Sequence, residues 1–245
     1  MFIKYGAEPH LKALKEQGNI YFNPCKFFRD LEAQQLLKGI GDRNDGGIVT
    51  GNGRVLLQDK MGKYYESPNQ SIAFIVAPCL YTPVFCIKQA SSPIISIHER
   101  ELIREQFPNH THALVIPEEK DFLDSVQNSF DQKAFSHRIF YQDKFYTDFL
   151  EFLCRGKSDT KFIEPEASSN YYADFFMIPE NRDIPPTHCR INDSNFYKTM
   201  FRKNTFFSNQ VEYRVVLPYE KIGAGKQYSI SPFNSTLCLI DDLVM

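Results

Sequence analysis

Apolar residues recur along this chain in short bursts, and nearly every burst ends at Gly, Pro or Asn. Bursts with a period near 3.6 predict helices and those with a period of two predict strands. The start reads as strand, helix, strand. MFIKYG predicts a strand closed by Gly6. PHLKALKEQG predicts a short helix, with Pro9 in the first turn, Leu11 and Leu14 three apart, and Gly18 as its stop. NIYFNP predicts the next strand, ended by Pro24, and CKFFRDLEAQQLLKG a second helix carrying Phe27 and Leu31.

The glycine-rich run GIGDRNDGGIVTGNG, residues 39–53, predicts a loop without regular structure. Beyond it, RVLLQD, SIAFIVAP, YTPVFCIKQ, PIISIH and HALVIP predict strands, with ERELIREQF as a short helix or turn. EEKDFLDSVQNSF predicts a helix, since Phe122, Val126 and Phe130 fall at spacing four. HRIFYQD predicts a strand, KFYTDFLEFLCRGK a helix, and KTMFRKNT one helical turn. VEYRVVLP, QYSISP and STLCLIDDLVM predict closing strands. The segment 158–169 is the best linker candidate, but no composition shift divides the chain, so residues 1–245 are read as one domain. Strands and helices mix without strict alternation. The expected class is α+β, with mixed, mostly antiparallel sheets and short helices.

The stretch NQVEYRVVLP, residues 209–218, alternates most clearly. Val211, Tyr213, Val215 and Leu217 would face one way, and Gln210, Glu212 and Arg214 the other. That polar face is either a solvated strand surface or the chemical end of a site.

Composition narrows the function classes. The 245 residues are enough for a full core, 42% of them hydrophobic and 24% charged, as in ordinary soluble proteins. A net charge of −2 argues against a dominant nucleic-acid footprint but leaves room for a local patch. No apolar run reaches membrane-spanning length. The six cysteines are scattered without a Cys-x-x-Cys pair, and no secretory leader is evident, which favours a cytoplasmic protein with reduced thiols.

Candidate chemistry is sparse. Asp42 and Asp45 sit in a glycine loop of calcium-binding residue types, but the spacing is not that of an EF-hand and a polar turn is the better reading. His110 and His112 would share a strand face and, with His188 and Cys189, offer zinc ligands without a recognised motif; ordinary histidines are the simpler account. Asp42, Asp45 and Glu212 around a divalent metal would suit a hydrolase. No metal site is assigned. Gln210 and Glu212 would project together from a strand: such a carboxylate can stabilise an oxocarbenium-like centre while the amide orients an acceptor, although on pattern alone a half-exposed polar strand face is the simpler account.

FIKYG, LKALKEQGNIYFNPCKFFRDLE and GIGDRNDGG at the start, HALVIPEEKDFLDSV in the middle, and FRKNTFFSNQVEYRVVLP near the end together resemble a family of uncharacterised bacterial and phage proteins. That layout is in turn similar to ADP-ribosyltransferases, in which a late strand carries Gln-x-Glu or Glu-x-Glu. The resemblance implies an ADP-ribosyltransferase-like fold and NAD as substrate. It implies Glu212 as the catalytic glutamate and Gln210 as the acceptor-side residue. Lys4, Tyr5, Tyr21, Asn23 and Arg214 would line the nucleotide site. Here the first strand offers Lys4 and Tyr5 where the family has Arg or His. Two functions follow as expectations: a NAD-dependent ADP-ribosyltransferase-like protein of bacterial or phage conflict, or a non-catalytic module of the same fold that binds a nucleotide or a protein partner, as a defence component or its inhibitor.

Overall fold

The computed structural model describes residues 1–34, 45–49, 53–58, 63–66, 73–142, 152–153, 171–179 and 187–245. In chain order the elements open with β1 (Phe2–Gly6), α1 (Glu8–Gln17), β2 (Asn19–Pro24) and α2 (Cys25–Gln34). Four short strands follow: β3 (Gly47–Val49), β4 (Gly53–Gln58), β5 (Tyr64–Glu66) and β6 (Ala73–Ile75). The middle of the chain supplies β7 (Pro83–Gln89), α3 (Ile97–Gln106), β8 (His112–Ile116), α4 (Glu119–Ser129), β9 (Phe135–Arg138) and β10 (Phe140–Tyr141). The remainder supplies β11 (Tyr171–Pro179), β12 (Thr187–Asn192), β13 (Arg202–Lys203), β14 (Glu212–Val216), β15 (Lys226–Ser229) and β16 (Thr236–Leu239). The fold is mixed α and β, its sheets mostly antiparallel and its helices few. Among the described residues only β10 and β13, of the named strands, pair in parallel.

The main sheet has eight strands organised around β7. Lys88 is the Cα partner of both Ile3 and Glu212, so β1 and β14 lie on opposite edges of β7. Val84 is likewise the partner of both Asn23 and Val216, which puts β2 on the same edge as β1. β1 and β2 therefore share one edge of β7 and pair with its two ends. Between them the Cys86 carbonyl is satisfied by the Lys4 ammonium, at 2.7 Å. β8 and β16 extend the sheet beyond β1, β15 extends it beyond β2, and β9 lies outside β14.

Alternation along these strands sorts the core. One face carries Phe2, Ile20, Phe22, Phe85, Ile87, Leu114, Ile116, Val215 and Leu217, all buried together with Leu11 and Leu14 of α1 and Phe122 and Val126 of α4. The opposite face carries Val84 and Val216 against a second cluster that includes Cys25, Cys79, Tyr197, Met200 and Phe201. Ile3 and Ala113 pack there on Ile103 of α3. α1 ends where expected: Gly18 adopts φ 68°, and its N–H reaches the carbonyls of Ala13 and Leu14.

Several expectations need correction. PIISIH is not a strand. The Ser96 hydroxyl accepts the Glu99 N–H and caps α3, leaving only an isolated bridge between Ile95 and Val244. Within the glycine-rich run, Gly47–Val49 pairs with Ala73–Ile75, so this part is regular after all; residues 39–44 lie outside the described residues. The terminal STLCLIDDLVM gives a strand only to Leu239 and then a 3-10 turn over Ile240–Leu243. HRIFYQD divides into β9 and β10. β11 and β12 lie outside the strands expected from the sequence and form a second sheet with β4 and β5. Of the helix expected in KFYTDFLEFLCRGK only Phe152 and Leu153 are described, both helical, and the 158–169 linker lies outside the described residues. Among the described residues no helix is long and apolar enough to cross a membrane.

Candidate functional site

The polar face expected over residues 209–218 is interrupted at its start. Asn204 caps a 3-10 turn over Thr205–Gln210 by accepting the Phe206 N–H, and Val211 follows in the left-handed region at φ 45°, ψ 48°. The strand begins only at Glu212. Gln210 is therefore not on a strand, and Val211, expected to share a face with Tyr213, Val215 and Leu217, is 45% exposed. Glu212 and Arg214, expected on the polar side, are buried.

Burial of two opposite charges demands partners, and among the described residues Asp45 and Lys203 join Glu212 and Arg214 in a cluster of balanced charge. Arg214 forks onto Asp45, with Nη1 to Oδ1 at 2.5 Å and Nη2 to Oδ2 at 2.7 Å. Its Nε donates to Glu212 Oε1, and Nη1 also reaches the Met200 carbonyl. The other Glu212 oxygen, Oε2, accepts from Lys203 Nζ at 2.5 Å. Lys203 donates to Gln210 Oε1 at 3.0 Å as well, and its ammonium lies 5.3 Å from the centre of the Phe207 ring. The Glu212 N–H donates to the Tyr141 hydroxyl at 2.6 Å. The network ties three parts of the chain together: the turn at Asp45, the β13–3-10 segment and the centre of the main sheet.

Electrostatics follow from this geometry. Burial alone would raise the Glu212 pKa. The Arg214 and Lys203 cations outweigh it and hold the carboxyl well below the usual range. For Lys203 and Arg214 burial favours the neutral form, but the carboxylates win and raise both. The Cys86 thiol, the Cα partner of Arg214, is pushed up to about 12 by burial and by Glu212. A carboxylate held this low is a poor general base near neutral pH. With both oxygens engaged by cations, its charge is spent inside the protein rather than aimed at a ligand.

Placement of the remaining candidates follows from register. Ile3 shares a face with Lys88 and Glu212, so Tyr5 does too, whereas Lys4 projects to the opposite face. There Lys4 lies 4.8 Å from the centre of the Phe85 ring, and its pKa is lowered by burial. Tyr5 donates to Glu99 Oε1 at 3.2 Å, and Lys88 binds the same carboxylate oxygen. Tyr21 and Asn23 share the Glu212 face but belong to the far end of β7. Asn23 pairs with Val84, four positions from Lys88, or roughly 13 Å along the strand. The structure thus joins Gln210, Glu212 and Arg214, adds Tyr5 on the same face, and separates Lys4, Tyr21 and Asn23.

Lys203, Tyr141 and Asp45 also belong to the network. Of these only Asp45 is a sequence candidate, as a metal-loop residue. Asp42, its proposed companion, lies outside the described residues, and Asp45 is wholly buried on Arg214. His110 and His112 do not share a strand face, because β8 begins at His112; His110 instead stacks on Phe107 with ring centres 4.6 Å apart. Among the described residues no group of three or more His, Cys, Asp or Glu side chains is placed to hold a metal. A cleft of about 500 Å³ lies between α4 and residues 231–234, lined in part by Asp121, Asp124 and Asn128. No protein-family model, no curated protein and no solved structure matches this chain.

Proposed function

We propose that this chain is a non-catalytic module of ADP-ribosyltransferase-like fold that binds a protein partner, as a component of a bacterial or phage conflict system or as its inhibitor. The observation that carries the non-catalytic part is that both Glu212 oxygens accept hydrogen bonds from buried cations. A glutamate that stabilises a ribosyl cation needs a free oxygen facing the ligand and an uncompensated charge. Support for a protein partner comes from exposed tyrosines around the segment after β14. Tyr219 is 65% exposed within it, Tyr81 (47%) accepts the Ile222 N–H through its carbonyl, and Tyr21 (53%) lies against Gly225. Exposed aromatics of this kind are enriched at interface centres. The conflict setting rests on the sequence resemblance.

The test is calorimetry with NAD, ADP-ribose and cyclic nucleotides beside a nicotinamide-release assay. The proposal expects no turnover and no nucleotide binding. Tight nucleotide binding without turnover would reassign the partner to a nucleotide. A second reading, a NAD-dependent ADP-ribosyltransferase, is favoured by one observation: Tyr5 and Glu212 share a face on either side of Lys88. Nicotinamide release would support it.

A further inference from the structure

Val211 carries an anomaly that packing does not explain. A β-branched residue in the left-handed region is disfavoured by contact between its side chain and backbone. Such a conformation persists where surrounding structure enforces it. Here the side chain is 45% exposed, so it is not held by full burial in the core. Two backbone hydrogen bonds hold Val211: its N–H reaches the Ser208 carbonyl of the turn at 3.3 Å, and its carbonyl accepts the Gln89 N–H of β7 at 2.9 Å. The turn that it terminates, Thr205–Gln210, covers the charge network. Phe207 and Gln210 close over Lys203, which is 3% exposed, while Phe206 on the same turn is 57% exposed.

We propose that Thr205–Val211 is a hinged lid over the Lys203–Glu212 pair, shut in this structure, with Val211 as the hinge. Opening moves Val211 to an extended conformation and releases its strain. It breaks the Gln210–Lys203 hydrogen bond among the contacts of the turn, lifts Phe207 from the ammonium and brings Lys203 to solvent, while Glu212 stays paired with the wholly buried Arg214. The strain lowers the free-energy gap between shut and open states, so the lid opens more often than the burial of Lys203 suggests. The inference goes beyond the proposed function and holds whether or not the module turns over a ligand.

The experiment is amine acylation of the full chain with a water-soluble succinimidyl ester, read residue by residue by mass spectrometry and normalised to the urea-unfolded chain. Lys198 is the buried reference, donating to the Phe152 carbonyl at 2.9 Å, and Lys120 is the exposed one. The lid predicts that Lys203 labels faster than Lys198, at a rate that low urea barely changes, as local opening requires. Val211→Asn, which tolerates the left-handed region, should slow Lys203 labelling about tenfold. Val211→Gly is the second variant and should shift it in the same direction. Lys203 and Lys198 labelling together with the same urea dependence would overturn the lid, as would unchanged Lys203 labelling in both variants.

Discussion

Replacing Glu212 by Gln tests the network at its centre. The substitution keeps shape and one hydrogen-bond acceptor but removes a negative charge held between two buried cations. The cluster of Asp45, Glu212, Lys203 and Arg214 then carries an uncompensated positive charge with almost no access to water. Removing one partner from a buried ion pair costs about 3–5 kcal/mol, a large part of the roughly 5–15 kcal/mol that stabilises a typical domain. For a chain of this length that lowers Tm by about 10 °C. Sign and pH window follow from the lowered pKa. The folded value lies below the unfolded one, so the carboxylate's contribution is complete above about pH 4.3 and is lost as pH falls toward the folded value. Urea denaturation from pH 7 to pH 2.5 should therefore show a shallower acid slope for Glu212→Gln than for wild type. The double variant Glu212→Gln with Lys203→Met should recover about half the loss or more, because it removes the orphaned cation together with the missing anion. A Glu212→Gln protein within about 1 kcal/mol of wild type, with an unchanged acid slope, would refute the reasoning and free Glu212 for another role.

Two further outcomes follow from the same geometry. Gly46 has φ +69°, and an added Cβ would stand 2.9 Å from Cys79 Cβ and 3.0 Å from Cys25 Sγ, so Gly46→Ala should cost about 2–3 kcal/mol in urea denaturation. Gly223→Ala, where an added Cβ meets nothing within 4 Å, is its control and should change stability little. Burial, then Lys4, then His10 push the His110 pKa down from 6.5 to about 4. The unfolded chain therefore binds the proton first, and stability should decline as pH drops through that window; His110→Gln should flatten the decline, and an NMR midpoint near 6.5 would contradict it.

Much of the fold was legible because punctuation and period agreed. Gly18 and Pro24 bound α1 and β2, and the spacing of Phe122, Val126 and Phe130 marks α4. PIISIH misled because its alternation has the period of a strand, whereas Ser96 accepts the Glu99 N–H and starts α3 there. β11, with its run YYADFFMIP, has the aromatic composition of a strand but no alternation of apolar and polar positions to mark it.

The site was harder for a physical reason. A buried Glu and Arg on alternating positions look the same in sequence as a solvated strand face, because what distinguishes them is the partner. Asp45 is 169 residues from Arg214, and Lys203 sits in a polar RKN run with no pattern of its own. Nor does any propensity put Val211 at positive φ; that conformation is imposed by the turn before it and the ladder after it.

The central claim is that Glu212 is held by the protein's own cations rather than poised for a ligand. Its most direct test is nicotinamide release from NAD by the wild-type chain, beside Glu212→Gln kept below its melting temperature. The account predicts no release above the protein-free rate from either protein. Release by wild type that disappears in a folded Glu212→Gln protein would contradict it.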